Sequence, residues 1–150
     1  MYTINLIPYR NSDVKNEGDC REWAVCRYFG IERVSHDHSD YIHHSDVELP
    51  NGMNISVKSK DFSLMGGTLC RGCQTFEGIW RRYYKNCHSN LWIYVSNEWI
   101  GYVMNKKEFS KFVHTFGRLA RESKSKGGGL KIRNLKQSQR MIAWLNGYCK

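Results

Sequence analysis

Apolar and polar positions alternate over residues 46–60, "DVELPNGMNISVKSK". Two short runs flank Pro50-Asn51-Gly52, a strong turn signal, so the pattern predicts a hairpin with arms at about 45–49 and 53–59. Alternate residues of a strand share a face. Met53, Ile55 and Val57 fall on one face and are all apolar, whereas Asn54, Ser56 and Lys58 fall on the other and are all polar. Val47 and Leu49 join the apolar side of the first arm, with Asp46 and Glu48 opposite. Both arms agree, and the polar face collects two acids, a hydroxyl and an amine. Such a face is either surface laced with cross-strand ion pairs or a sheet edge above a cleft that performs chemistry.

The other periodic segments surround this hairpin. "DCREWAVCRYF" predicts a helix over Asp19 to Phe29, ended by Gly30. Residues 31–45 are polar, with a short strand starting near Asp40, and 60–69 read as a loop containing Gly66-Gly67. A second helix is predicted over about 74–86, with the apolar stripe Phe76, Ile79/Trp80, Tyr83. A second hairpin follows, "LWIYVS" and "WIGYVM", with Asn97-Glu98 between its arms. Asn105 and Glu108 form a capping box for a third helix, whose stripe is Phe109, Phe112/Val113, Phe116, Ala120. "ESKSKGGGLK" reads as a flexible basic loop before a last helix at about 135–147. The order predicts an α/β or α+β fold with a central mixed sheet flanked by helices. The 150 residues suit a single domain, with a basic C-terminal extension from about 122 too short to stand alone.

Charge sharpens this picture. Residues 1–60 hold 7 Lys/Arg against 9 Asp/Glu, whereas residues 61–150 hold 16 against 5. An acidic part beside a strongly basic part suits an enzyme that holds a cation with one and grips phosphates with the other. Arg81, Arg82 and Lys85 lie off the stripe of the second helix, and Lys124, Lys126, Lys131 and Arg133 surround three successive glycines whose backbone can approach a polyanion closely. These are the expected nucleic-acid contacts, with a solvated charge run as the plain alternative. No apolar run approaches the length of a membrane span and "MYTINLIPYR" lacks a secretory pattern, so a cytoplasmic protein without membrane partners is expected.

Six cysteines without a secretion signal argue against a disulfide framework. "CRGC" at Cys70 and Cys73, followed by Cys87 and His88, spells zinc spacing only weakly, because the second pair is adjacent in sequence. Cys87 also falls on the apolar stripe of its helix, which predicts a core cysteine. The "HDHSDYIHH" run reads as a polar loop.

Glu22 lies on the same helix face as Cys26 and Phe29, so its carboxylate extends an apolar stripe aimed at the sheet. Asp19-x-x-Glu22 as a capping box explains it equally well. Together, Glu22, Asp46 and Lys58 are the groups that phosphodiester hydrolysis by a divalent cation requires. Carboxylates hold Mg²⁺ or Mn²⁺, and a lysine orients the attacking water and balances charge.

"GDCREWAVCRYFG" followed by "SDVELPNGMNISVKSK" resembles the PD-(D/E)XK nuclease superfamily, closely over about residues 18–60 and beyond that in the order of elements. The resemblance implies a restriction-endonuclease-like core, with Glu22 as the helix acid, Asp46 as the first motif acid and Lys58 as the motif lysine. It departs at Ser56, where the pattern has Asp or Glu. Glu22 or Glu48 then supplies the second carboxylate, or Ser56 acts as a weak ligand, or the site only binds. The resemblance implies a Mg²⁺-dependent DNA endonuclease acting on double-stranded DNA as a dimer or higher oligomer. Small size and the basic C-terminal half suit a phage or mobile-element enzyme of homing or restriction type. The alternatives are a non-catalytic, zinc-stapled nucleic-acid-binding protein and an RNA-processing nuclease.

Overall fold

The structure, a computed structural model, describes residues 1–10, 17–31, 46–64, 75–119, 129–132 and 138–148. The possible strand near Asp40, Gly66-Gly67, Cys70, Cys73, Ala120, Lys124, Lys126 and Arg133 lie outside them. In chain order the elements are β1 (Tyr2–Asn5), α1 (Glu17–Phe29), β2 (Val47–Glu48), β3 (Asn54–Ser59), β4 (Phe62–Leu64), α2 (Phe76–Asn86), β5 (Leu91–Val95), β6 (Ile100–Met104), α3 (Lys106–Phe116), β7 (Gly117–Leu119), β8 (Leu130–Ile132) and α4 (Ser138–Tyr148). The result is a mixed α+β fold, as the order of patterns predicted.

The main sheet runs β1-β6-β5-β3-β2. The predicted hairpin pairs β2 with β3, Val47 opposite Ile55 and Glu48 opposite Asn54. Its turn is built as the residue types require. The Asn51 side chain accepts the Met53 N–H at 3.0 Å, and Gly52 takes a φ of 86°, where a β-carbon is strained. The second hairpin pairs β5 with β6. β5 also lies parallel to β3, with α2 as part of the crossover between them. β1 closes the far edge against β6.

Two hydrophobic layers cover the two faces of this sheet. On one side Ile55, Val57, Ile93, Val95 and Val103 pack with Ala24, Val25 and Cys26 of α1. On the other, Trp92, Tyr94, Tyr102 and Met104 pack with α2, α3, α4 and the second sheet. At its centre Trp92 stacks on Phe109, ring centroids 4.9 Å apart. The capping box of α3 forms as predicted: Asn105 Oδ1 accepts the Glu108 N–H and Glu108 Oε1 accepts the Asn105 N–H. All four described stripe residues, Phe109, Phe112, Val113 and Phe116, are buried.

Four expectations change. α1 starts at Glu17, two residues before the expected start at Asp19, which places Asp19 within the first turn. The segment after β3 is not all loop: β4 forms there and joins β8 and β7 in a second, three-stranded sheet, β4-β8-β7. β8 arises from the end of the predicted basic loop, and its Leu130 and Ile132 enter the main core. Finally, β3 is not a sheet edge with one solvated face. It is flanked by β2 and β5, and Ser56 is completely buried. Asn54, Ser56 and Lys58 alternate outward from the α1 layer, but a second layer covers that side. Among the described residues, no helix is long and apolar enough to cross a membrane.

Candidate active site

β2 has only two ladder residues, so β3 outruns its neighbour at the sheet edge. A backbone N–H left there without a partner is costly when partly buried. Asp46, just before β2, supplies the partner: its Oδ2 accepts the Val57 N–H at 2.7 Å, and its own N–H donates to the Ile55 carbonyl at 2.9 Å. The acid is thereby fixed against the residue that precedes Lys58.

Lys58 is half-buried on the side of β3 away from α1. It is in register with Tyr94, and its ammonium lies 5.9 Å from the centroid of the Phe62 ring. Phe62 in turn stacks on Phe109 and Phe112, so the lysine rests on the aromatic layer. Asp46 belongs to the same side. Burial pushes the Tyr83 phenol well above its ordinary range, and the neighbouring Cys87 and the negative charge of Asp46 add to that rise. The Trp92 indole N–H donates to the phenol oxygen at 2.9 Å and offsets part of it.

Ser56 and Ser89 share a 2.6 Å hydrogen bond in the interior. Next to it, Asn90 Oδ1 accepts the Asn54 N–H at 2.9 Å, so residues 88–90 are tied along the start of β3. The hydroxyl at the departing motif position therefore bonds inside the protein. Glu22 is buried on α1, whose residues cover the opposite face of the sheet from Lys58. Glu48 is exposed on the edge strand. Among the described residues no three His, Cys, Asp or Glu side chains converge as a metal cage. Glu22, Asp46 and Glu48 thus do not form a group of three.

Of the expected phosphate contacts, Arg81, Arg82 and Lys85 are exposed on α2. Lys131 is half-buried in β8, beside a small cleft of about 210 Å³ shared with Asp61 and Ser63. Cys87 is buried against Tyr83 and Trp92, as its stripe position predicted, and His88 is exposed. The expected contact Arg81 has basic neighbours, Lys106, Lys107 and Lys111, that escaped the sequence reading. Arg81 of α2 and Lys106, Lys107 and Lys111 of α3 line a groove of about 570 Å³ floored by Trp80 and Tyr84. The spacing of Lys107 and Lys111, four apart on one helix face, was its only sequence signal.

No family model, curated protein or solved structure matches the chain.

Proposed function

We propose that the protein is a metal-dependent DNA endonuclease that hydrolyses phosphodiester bonds, with its site built on the β2–β3 hairpin. The observation that carries the reading is the placement of Asp46: a carboxylate held at a sheet edge by the N–H of Val57, the residue that precedes a half-buried lysine in β3. The order α1–β2–β3–β4–α2–β5, with β5 parallel to β3, supports a restriction-endonuclease-like core.

The donor set suits Mg²⁺ or Mn²⁺. Mg²⁺ keeps several waters and is held through one or two carboxylates plus substrate phosphate oxygens, so a three-acid cage is not required. Asp46, held in place by the Val57 N–H, would be the first ligand. Exposed Glu48, on the Asp46 face of the hairpin, would be the second, because Glu22 lies in the α1 layer that covers the opposite face of the sheet. When bound, the ion would polarise the scissile phosphate and make a water more acidic. Lys58 would orient that water and offset the charge that develops on the phosphate. The Val57 N–H would keep Asp46 in one rotamer while this happens. Ser56 would support the site through Ser89 rather than touch the ion.

The buried Ser56 hydroxyl also favours a second reading, a non-catalytic DNA-binding protein, since the position lacks an acid. Supercoiled plasmid separates the two. With Mg²⁺, nicked and linear products are expected, abolished by EDTA. A protein that shifts plasmid on a gel but leaves it intact in both Mg²⁺ and Mn²⁺ would establish the second reading.

A further inference from the structure

The α2–α3 groove lies apart from the Asp46 hairpin, and its lining is unusual in three respects. First, no acid lines it. The only acids of the two helices are turned to other partners: Glu77 Oε1 bonds His114 Nε2 at 2.8 Å, and Glu108 engages the Asn105 N–H and the Met1 amino group. Lys111 also lies close enough to Glu108 to stabilise its charge. Second, Lys106 and Lys107 occupy the first turn of α3, the positive end of its dipole, where acids are favoured and cations are not. Third, Tyr84 is 44% exposed in the middle of these cations, with the Lys106 ammonium 3.9 Å from its ring centroid. A polyanion entering the groove would relieve the crowded positive charge.

We propose that this groove binds an unpaired strand of nucleic acid, with Arg81, Lys107 and Lys111 on successive phosphates and one base stacked on Tyr84 in place of the Lys106 ammonium. The exposed aromatic decides between strands. Contact with a duplex backbone needs cations alone, whereas sequence-tolerant single-strand binding combines a basic track with an aromatic platform. The proposal builds on the nuclease reading only in naming nucleic acid as the partner; binding here requires neither metal nor cleavage.

The test is fluorescence anisotropy with a labelled 12-nucleotide oligothymidylate and with a duplex of mixed sequence, both in EDTA. Lys107→Ala/Lys111→Ala should weaken single-strand binding about tenfold or more and flatten its log–log salt slope by about 1.4, at roughly 0.7 per phosphate contact. Tyr84→Leu should weaken it between about fivefold and a hundredfold, as loss of one stacked base does, and leave duplex binding within about twofold. Circular dichroism melting confirms that these exposed changes leave the fold intact. Parental single-strand affinity in both variants would overturn the proposal. So would equal losses on duplex, or displacement of the oligonucleotide by polyglutamate at matched charge, which would mark an acidic-protein dock. Plasmid cleavage by protein with a non-binding groove would remove this proposal alone. A binding groove on protein that never cleaves would remove the nuclease reading alone.

Discussion

The carboxylate of Asp46 completes the hydrogen bonding of a strand to which it does not belong, its Oδ2 accepting the Val57 N–H at 2.7 Å. One side chain thus has a structural task and a proposed chemical one, and two substitutions separate them. Asp46→Asn keeps an oxygen for Val57 and removes the charge. It should fold with nearly parental stability and lose plasmid cleavage. Asp46→Ala removes the acceptor as well and should destabilise by about 1–3 kcal/mol in urea titrations. An Asp46→Asn protein that cleaves at the parental rate would dismiss this acid from the site.

Lys58→Ala should keep the fold and DNA binding while cleavage falls by orders of magnitude. The fold should hold because the ammonium lies 5.9 Å from the centroid of the Phe62 ring, a contact of modest strength. Parental cleavage would show the hairpin to be ordinary surface.

The hairpin was legible in the sequence, and so was the capping box of α3, because each is written in residues a few positions apart. Pro50-Asn51-Gly52 sets its own turn, and Asn105 and Glu108 cap one another's backbone N–H across three positions. β1 was missed for the opposite reason: "YTIN" gains strand character from residues about a hundred positions away, Tyr2 opposite Val103. The polar alternation of Asn54, Ser56 and Lys58 was real, but alternation cannot say what lies above a face. Here aromatic side chains of a second layer cover it, and a serine replaces solvent as the partner of Ser56.

That buried serine pair should behave as a coupled unit. Ser56→Ala and Ser89→Ala should each cost about 1–3 kcal/mol, since each takes a bonded partner from a hydroxyl away from water. The double variant should cost less than their sum, with a coupling of about 0.5–3 kcal/mol from urea unfolding of all four proteins. Strict additivity would mean that the two hydroxyls do not depend on one another.

Glu108 gives a pH signature. Burial raises its pKa, but the Asn105 N–H, the Met1 amino group and Lys111 outweigh burial and hold the carboxyl below its ordinary value. A lowered folded-state pKa contributes stability above the unfolded value of about 4.3, lost as pH falls through the folded value. Glu108→Gln should therefore be less stable than the parent at pH 7 by about 0.3–1 kcal/mol, less at high salt. The gap should close in acid below about pH 4. A gap that persists unchanged in acid would assign the loss to shape rather than charge.

The small sheet carries a consequence for how the chain is made. β8 lies between β4 and β7, so neither outer strand has its partner until Leu130–Ile132 has left the ribosome. Until then Leu64, at the end of β4, lacks the strand partner that it finds in Leu130. Chains released before residue 130 would lack the central strand rather than a dispensable tail. They should be recovered as aggregates or degradation products, in keeping with the hazard of unpaired strand edges during synthesis.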